Sequence, residues 1–201
     1  MLNVRHAAAV AVVALATVAP LSGAAPIIFT TALSGAAENP SNVSPGTGAA
    51  TVILDPDADT LQVIVSFSGL LGLTTVSHIH CCAAPPNNVG VATQLPTFSG
   101  FPVNVSSGTY DNTFNTALAS TWNPAFVTNN GGTPASAEAA LLAGLFAGTA
   151  YLNVHSSAFP GGEIRGFLVQ RVPEPGTLLL VGIGLTALAL PLRRRRAPAH
   201  R

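Results

Sequence analysis

The sequence predicts an all-β protein: an antiparallel Greek-key β-sandwich with one short helix, flanked by an N-terminal signal peptide and a C-terminal transmembrane helix. Three observations carry this. Short segments alternating apolar and polar residues recur between turn-rich stretches, as half-buried strands do. Helical spacing is confined to one alanine- and leucine-rich run. Each end carries an uncharged apolar run beside arginine, which is targeting chemistry.

The clearest strand is Thr60–Ser68, which places Leu61, Val63, Val65 and Phe67 on one face and Gln62, Ser66 and Ser68 on the other. Asp55-Pro56-Asp57-Ala58-Asp59 precedes it, so Ala49–Leu54 and Thr60–Ser68 are expected to form a hairpin. Further strands are expected at Ile27–Leu33, Val76–His80, Gly108–Leu118, Thr149–His155 and Glu163–Gln170. Thr133 as N-cap, Pro134 in the first turn and Gly148 past the end bracket a helix running to Phe146. Residues 83–107 and 121–133, rich in Pro, Gly, Asn and Thr, read as surface loops.

Residues 1–25 read as the signal peptide. Arg5 and His6 precede an apolar stretch, and Ser22-Gly23-Ala24-Ala25 offers small residues for cleavage after Ala24 or Ala25. At the other end, 177–192 is sixteen residues without charge. As a helix it spans about 24 Å, slightly short of a hydrocarbon core of about 30 Å. Arg193, Arg194, Arg195 and Arg196 follow at once. They can snorkel to the headgroups and stay cytoplasmic, leaving the domain between, 26–171, outside. The basic ends are therefore topology. Between residues 26 and 172 there are two arginines against seven acidic residues and no lysine, which argues against a nucleic-acid partner.

The last segment, 172–201, has a more specific resemblance. Pro173-Glu174-Pro175, the apolar run and the arginine cluster resemble the PEP-CTERM sorting signal of matrix-producing Gram-negative bacteria. The resemblance implies an exosortase-type membrane peptidase as partner, cleavage near Pro-Glu-Pro, and transfer to the cell surface or an extracellular polysaccharide matrix. LSGAAENP (33–40), GAATVILD (48–55), SHIH (77–80), AGTAYLNVH (147–155) and GGEIRGFL (161–168) resemble the CHRD domain. That family implies a β-sandwich and leaves the function open.

His78 and His80 lie two apart on one strand and so share a face; His155 sits on another motif-like strand. If the strands are neighbours, three imidazoles suited to zinc or copper converge. Glu163 is then a candidate fourth ligand or a group that orients an imidazole, with Arg165 beside it. The rival reading is a structural polar cluster, with Glu163 and Arg165 as a surface ion pair. Cys81 and Cys82 are the only cysteines, and in an oxidising compartment they are expected to pair with each other. Metal thiolates or a bond between chains are the alternatives. Asp55, Asp57 and Asp59 form half of a calcium-loop pattern, without its glycine and distal glutamate. There is no G-x-S-x-G, no H-E-x-x-H and no phosphate-binding glycine loop, so a non-enzymatic structural or binding domain is expected.

Overall fold

The computed structural model describes residues 25–172. The signal peptide, the segment 177–192, Pro173-Glu174-Pro175 and the arginine cluster lie outside these residues. Among the described residues no helix is long and apolar enough to cross a membrane.

The described residues form eight strands: β1 (Ile27–Ser34), β2 (Thr47–Asp55), β3 (Thr60–Ser68), β4 (Thr74–His80), β5 (Gly108–Asn115), β6 (Tyr151–Ser156), β7 (Ile164–Phe167) and β8 (Val169–Gln170). Two helices, α1 (Pro124–Asn129) and α2 (Pro134–Phe146), lie between β5 and β6. All pairings are antiparallel, in the order β4-β6-β7-β1-β2-β3-β5, with β8 also on β1. Where the sequence suggests two sheets, the strands hydrogen-bond as one. A meander of β1, β2 and β3 with β5 meets the group β4-β6-β7 through a single Cα pair, Ser34 with Arg165. The chain crosses from one group to the other between β3 and β4, between β4 and β5, and between β5 and β6. One apolar cluster unites the groups, so the sheet curls round a shared core.

The hairpin forms in the expected place, Asp55 pairing with Thr60. The Asp55 carboxylate accepts the backbone N–H groups of Asp57 and Ala58, which closes the turn. Leu61, Val63 and Val65 are fully buried and Phe67 nearly so, against Ala50, Val52 and Leu54 of β2. Helix α2 has the expected Thr133 cap, in a capping box with Ser136. It packs Ala137, Leu141 and Leu145 into the core.

Two further expectations are corrected. The strand from Gly108 ends at Asn115, not Leu118, because the next residues fold back: the Ala117 N–H donates to the Asn115 side chain and the Leu118 N–H to the Asn115 carbonyl. Residues 121–133 are not all surface loop: Trp122 and Phe126 are buried, and α1 occupies Pro124–Asn129, capped by the Asn123 side chain. The Trp122 indole donates to the Thr116 carbonyl, so the ring is buried with its polar group satisfied.

Candidate metal centre

All six residues of β6 are buried, although apolar and polar residues alternate along it. Leu152 and Val154 face the apolar core. Tyr151, Asn153 and His155 face the other way, into a polar layer that the connecting segments cover. Register fixes this layer: His80 is opposite Tyr151 and His78 opposite Asn153 on β4, while Arg165 is opposite Asn153 on β7.

The structure brings the three histidines together. One ring nitrogen from each of His78, His80 and His155 lies within 4.8 Å of the other two. Ring centroids are 5.8 Å apart for His78 and His80, 5.5 Å for His78 and His155, and 6.0 Å for His80 and His155. The three residues are 5%, 9% and 9% exposed respectively, too little for water to serve them freely.

Each imidazole uses one nitrogen on a backbone carbonyl. His78 Nε2 bonds the Pro96 carbonyl, His80 Nδ1 that of Val89 at 2.8 Å, and His155 Nδ1 that of Pro160 at 2.9 Å. A carbonyl only accepts, so these nitrogens carry the protons. The remaining nitrogens, His78 Nδ1, His80 Nε2 and His155 Nε2, are buried lone pairs with no hydrogen-bond partner. Burial lowers the basicity of all three rings, that of His80 to about pKa 4, so they are neutral near pH 7. Three neutral imidazoles, each fixed through its far nitrogen, are a donor set for zinc or copper. A zinc–nitrogen bond of about 2.0–2.1 Å would draw the three nitrogens to about 3.4 Å of one another.

His80 is braced from behind. Its ring stacks on Tyr151, centroids 4.7 Å apart, and the Arg165 guanidinium lies 4.7 Å from the other ring's centre. The Tyr151 hydroxyl accepts the Val89 N–H at 3.3 Å. Arg165 is fully buried, donating from Nε to Ala37 (2.6 Å), from one terminal nitrogen to Pro86 (2.7 Å), and from the other to the Asn88 side chain. Its charge partner is Glu38, 3.7 Å away. The surface ion pair between Glu163 and Arg165 is therefore not what forms.

Glu163 is also engaged elsewhere. Its carboxylate accepts the N–H groups of Leu71 and Gly72 and the Ser44 hydroxyl, anchoring the turn before β4. Burial raises its pKa, but these bonds and one from Ser156 outweigh it, and the net shift is downward. This removes Glu163 as a fourth ligand. Cys81 and Cys82 form a disulfide between adjacent residues just after His80, and it rests on α2 at Gly144.

Sequence reasoning missed Glu38, Asn153 and Tyr151, although all three stand inside the segments 33–40 and 147–155. Glu38 and Asn153 each keep one buried oxygen without a partner. Both flank Gly162, where an added Cβ would come within 2.7 Å of the Glu38 carboxyl and 2.5 Å of the Asn153 amide.

An exposed-turn, curled antiparallel domain with a buried trihistidine layer is thus the class of protein in hand. The CHRD domain family matches residues 29–168, well over half of the chain, and the chain belongs to that family. The PEP-CTERM protein-sorting motif matches residues 171–196. No curated protein matches the chain. No solved structure matches it either.

Proposed function

We propose that this chain is an exported protein, sorted to the cell surface or matrix by an exosortase-type membrane peptidase, whose CHRD domain binds zinc or copper through His78, His80 and His155. The sorting motif at 171–196 supports the first half. In this reading residues 1–25 are removed on export, and 177–192 holds the domain at the membrane, arginines inward, until cleavage near Pro173-Glu174-Pro175. The convergence of the three rings carries the second half: one nitrogen of each lies within 4.8 Å of the others, and each ring keeps one buried nitrogen without a partner while its opposite nitrogen is bound to a carbonyl. Leaving such groups unpaired costs about 1–3 kcal/mol each, and a metal ion would satisfy all three at once.

The test is the metal content of the full chain, purified and then dialysed against zinc or copper. Near one equivalent is expected, falling below a tenth in His80→Ala. Metal-free protein that stays folded after exposure to excess of either ion would sink the metal reading. It would leave a displayed structural β-domain.

A further inference from the structure

The disulfide between Cys81 and Cys82 directly follows His80 on the chain, and its two halves are unequal. Cys81 is 4% exposed and belongs to the apolar core, whereas Cys82 is exposed. Both line a cleft of about 310 Å³ whose other walls include Gly90, Phe126 and Asn129, room enough for a small molecule. A small thiol entering this cleft meets Cys82 first.

The pair is tied to the residues that hold His80. The Cys81 N–H donates to the Gly90 carbonyl at 3.2 Å, and the neighbouring Val89 carbonyl is the one that accepts the His80 Nδ1–H. The Ala83 N–H donates to the Thr149 carbonyl at 3.0 Å, and Thr149 donates in turn to the Gly144 carbonyl of α2. Gly144 leaves the sulfurs no room to spread, since even a Cβ there would overlap both. A disulfide keeps its sulfurs about 2.05 Å apart, whereas two thiols separate to van der Waals contact, about 3.5–4.0 Å. Helix α2 is fixed in the core by Ala137, Leu141 and Leu145, so the extra width comes from residues 81–83. Their movement pulls on His80 through the chain and on Val89 through Gly90.

We propose that the Cys81–Cys82 disulfide is a redox switch on His80, opened by a low-molecular-weight thiol that enters this cleft. A thiolate attacks Cys82 Sγ and the bond to Cys81 breaks; Cys81 leaves as a thiolate and takes a proton from solvent. A second thiolate attacks the reductant's sulfur in the mixed disulfide, and Cys82 leaves to take the second proton. Two small thiols are thereby oxidised to their disulfide while that of the protein is reduced. His80 is displaced from Val89 and Tyr151, and the histidine cluster loses affinity for metal, a consequence that rests on the metal reading above. An exported chain then loads metal only where an oxidising compartment has closed the disulfide.

The test compares the full chain oxidised and after reduction with excess glutathione, removed before measurement. In metal-free protein the imidazole NMR resonances of His80 should shift and its Nδ1 proton exchange faster, with the near-UV spectrum certifying the fold. Zinc affinity should fall about tenfold, and by reciprocity saturating zinc should lower the midpoint potential of the disulfide by about 30 mV. Cys81→Ser combined with Cys82→Ser should make both readouts indifferent to glutathione; if that variant does not fold, the wild-type measurements decide. An oxidised chain that takes up no zinc would sink the metal reading alone, and the His80 resonances would then decide the switch. A disulfide that glutathione leaves intact, unmoved His80 resonances after full reduction, or global unfolding on reduction would each overturn the proposal. So would a response that survives in the double serine variant, or equal or tighter zinc binding by the reduced chain.

Discussion

The imidazole of His80 lies flat on the phenol ring of Tyr151, planes 4° from parallel, and both side chains reach the backbone of Val89. The His80 imidazole is therefore held on two sides, by a ring face and by a carbonyl. Tyr151→Phe keeps the face and loses the hydroxyl, so its stability cost should stay near about 1 kcal/mol. Tyr151→Leu loses the face too and should cost about 2–4 kcal/mol. A zinc titration of both variants should show the larger affinity loss in the leucine variant; equal affinities would mean that the stack does not position His80.

Metal should stabilise the fold by mass action. At a free concentration one hundred times the dissociation constant the gain is about 2.7 kcal/mol, visible as a raised melting temperature that a chelator reverses. His78→Ala, His80→Ala and His155→Ala should each abolish the shift. A shift that survives in all three would place the ion elsewhere.

Acid should unfold the metal-free domain through the same rings. His80 titrates near 4 when folded and near its ordinary 6.5 when unfolded, because burial disfavours the imidazolium. Between those values the unfolded chain binds more protons, so stability is full above 6.5 and is lost as pH falls through 4. His78 and His155 are shifted in the same direction. Melting temperature followed from pH 7 to pH 4 should fall, and His80→Phe should reduce the slope.

Glu38 should act with the opposite sign. Burial raises its carboxyl to about 7, even though the Arg165 charge and the Asn39 N–H pull it down. Here the folded protein holds the extra proton, so the contribution is full below about 4.5 and is lost as pH rises through 7. Glu38→Gln removes that loss. Relative to wild type, the variant should gain stability on going from pH 5 to pH 8, and a constant difference across that range would refute the assignment.

Gly144 should not tolerate a side chain. A Cβ there would meet the sulfurs of Cys81 and Cys82 at 2.3 and 2.4 Å. In a helix Gly→Ala ordinarily gains up to about 1 kcal/mol. At this position the overlap should outweigh that gain, for a net loss of about 1–3 kcal/mol by urea denaturation. A stabilised Gly144→Ala would show that the disulfide is not seated on α2.

The parts of this fold legible in the sequence are those set by near neighbours. The turn at Asp55–Asp59, the cap at Thr133 and the shared face of His78 and His80 all follow from spacing within one element. Trp122 and α1 were hidden because their Asn, Gly and Thr surroundings are the composition of an open loop. Arg165 was misassigned for a different reason. Its nearest acid in sequence is Glu163, but its partner Glu38 is 127 residues away, reached only because β7 lies beside β1. The polar layer was hidden too, since alternation on β6 tells which residues share a face and not whether loops cover it.

The three carbonyls that hold the histidines belong to Pro96, Val89 and Pro160. All are main-chain atoms, so the path of the loop supplies the acceptor and the identity of its side chains does not. Pro96 and Val89 could therefore change identity while the imidazoles kept their tautomers, whereas Asn88, Thr93 and Thr97 hold Arg165 and β4 through their side chains. An alignment of related chains would then show the histidines kept together with these amide and hydroxyl positions, and not with the residues whose carbonyls hold the rings.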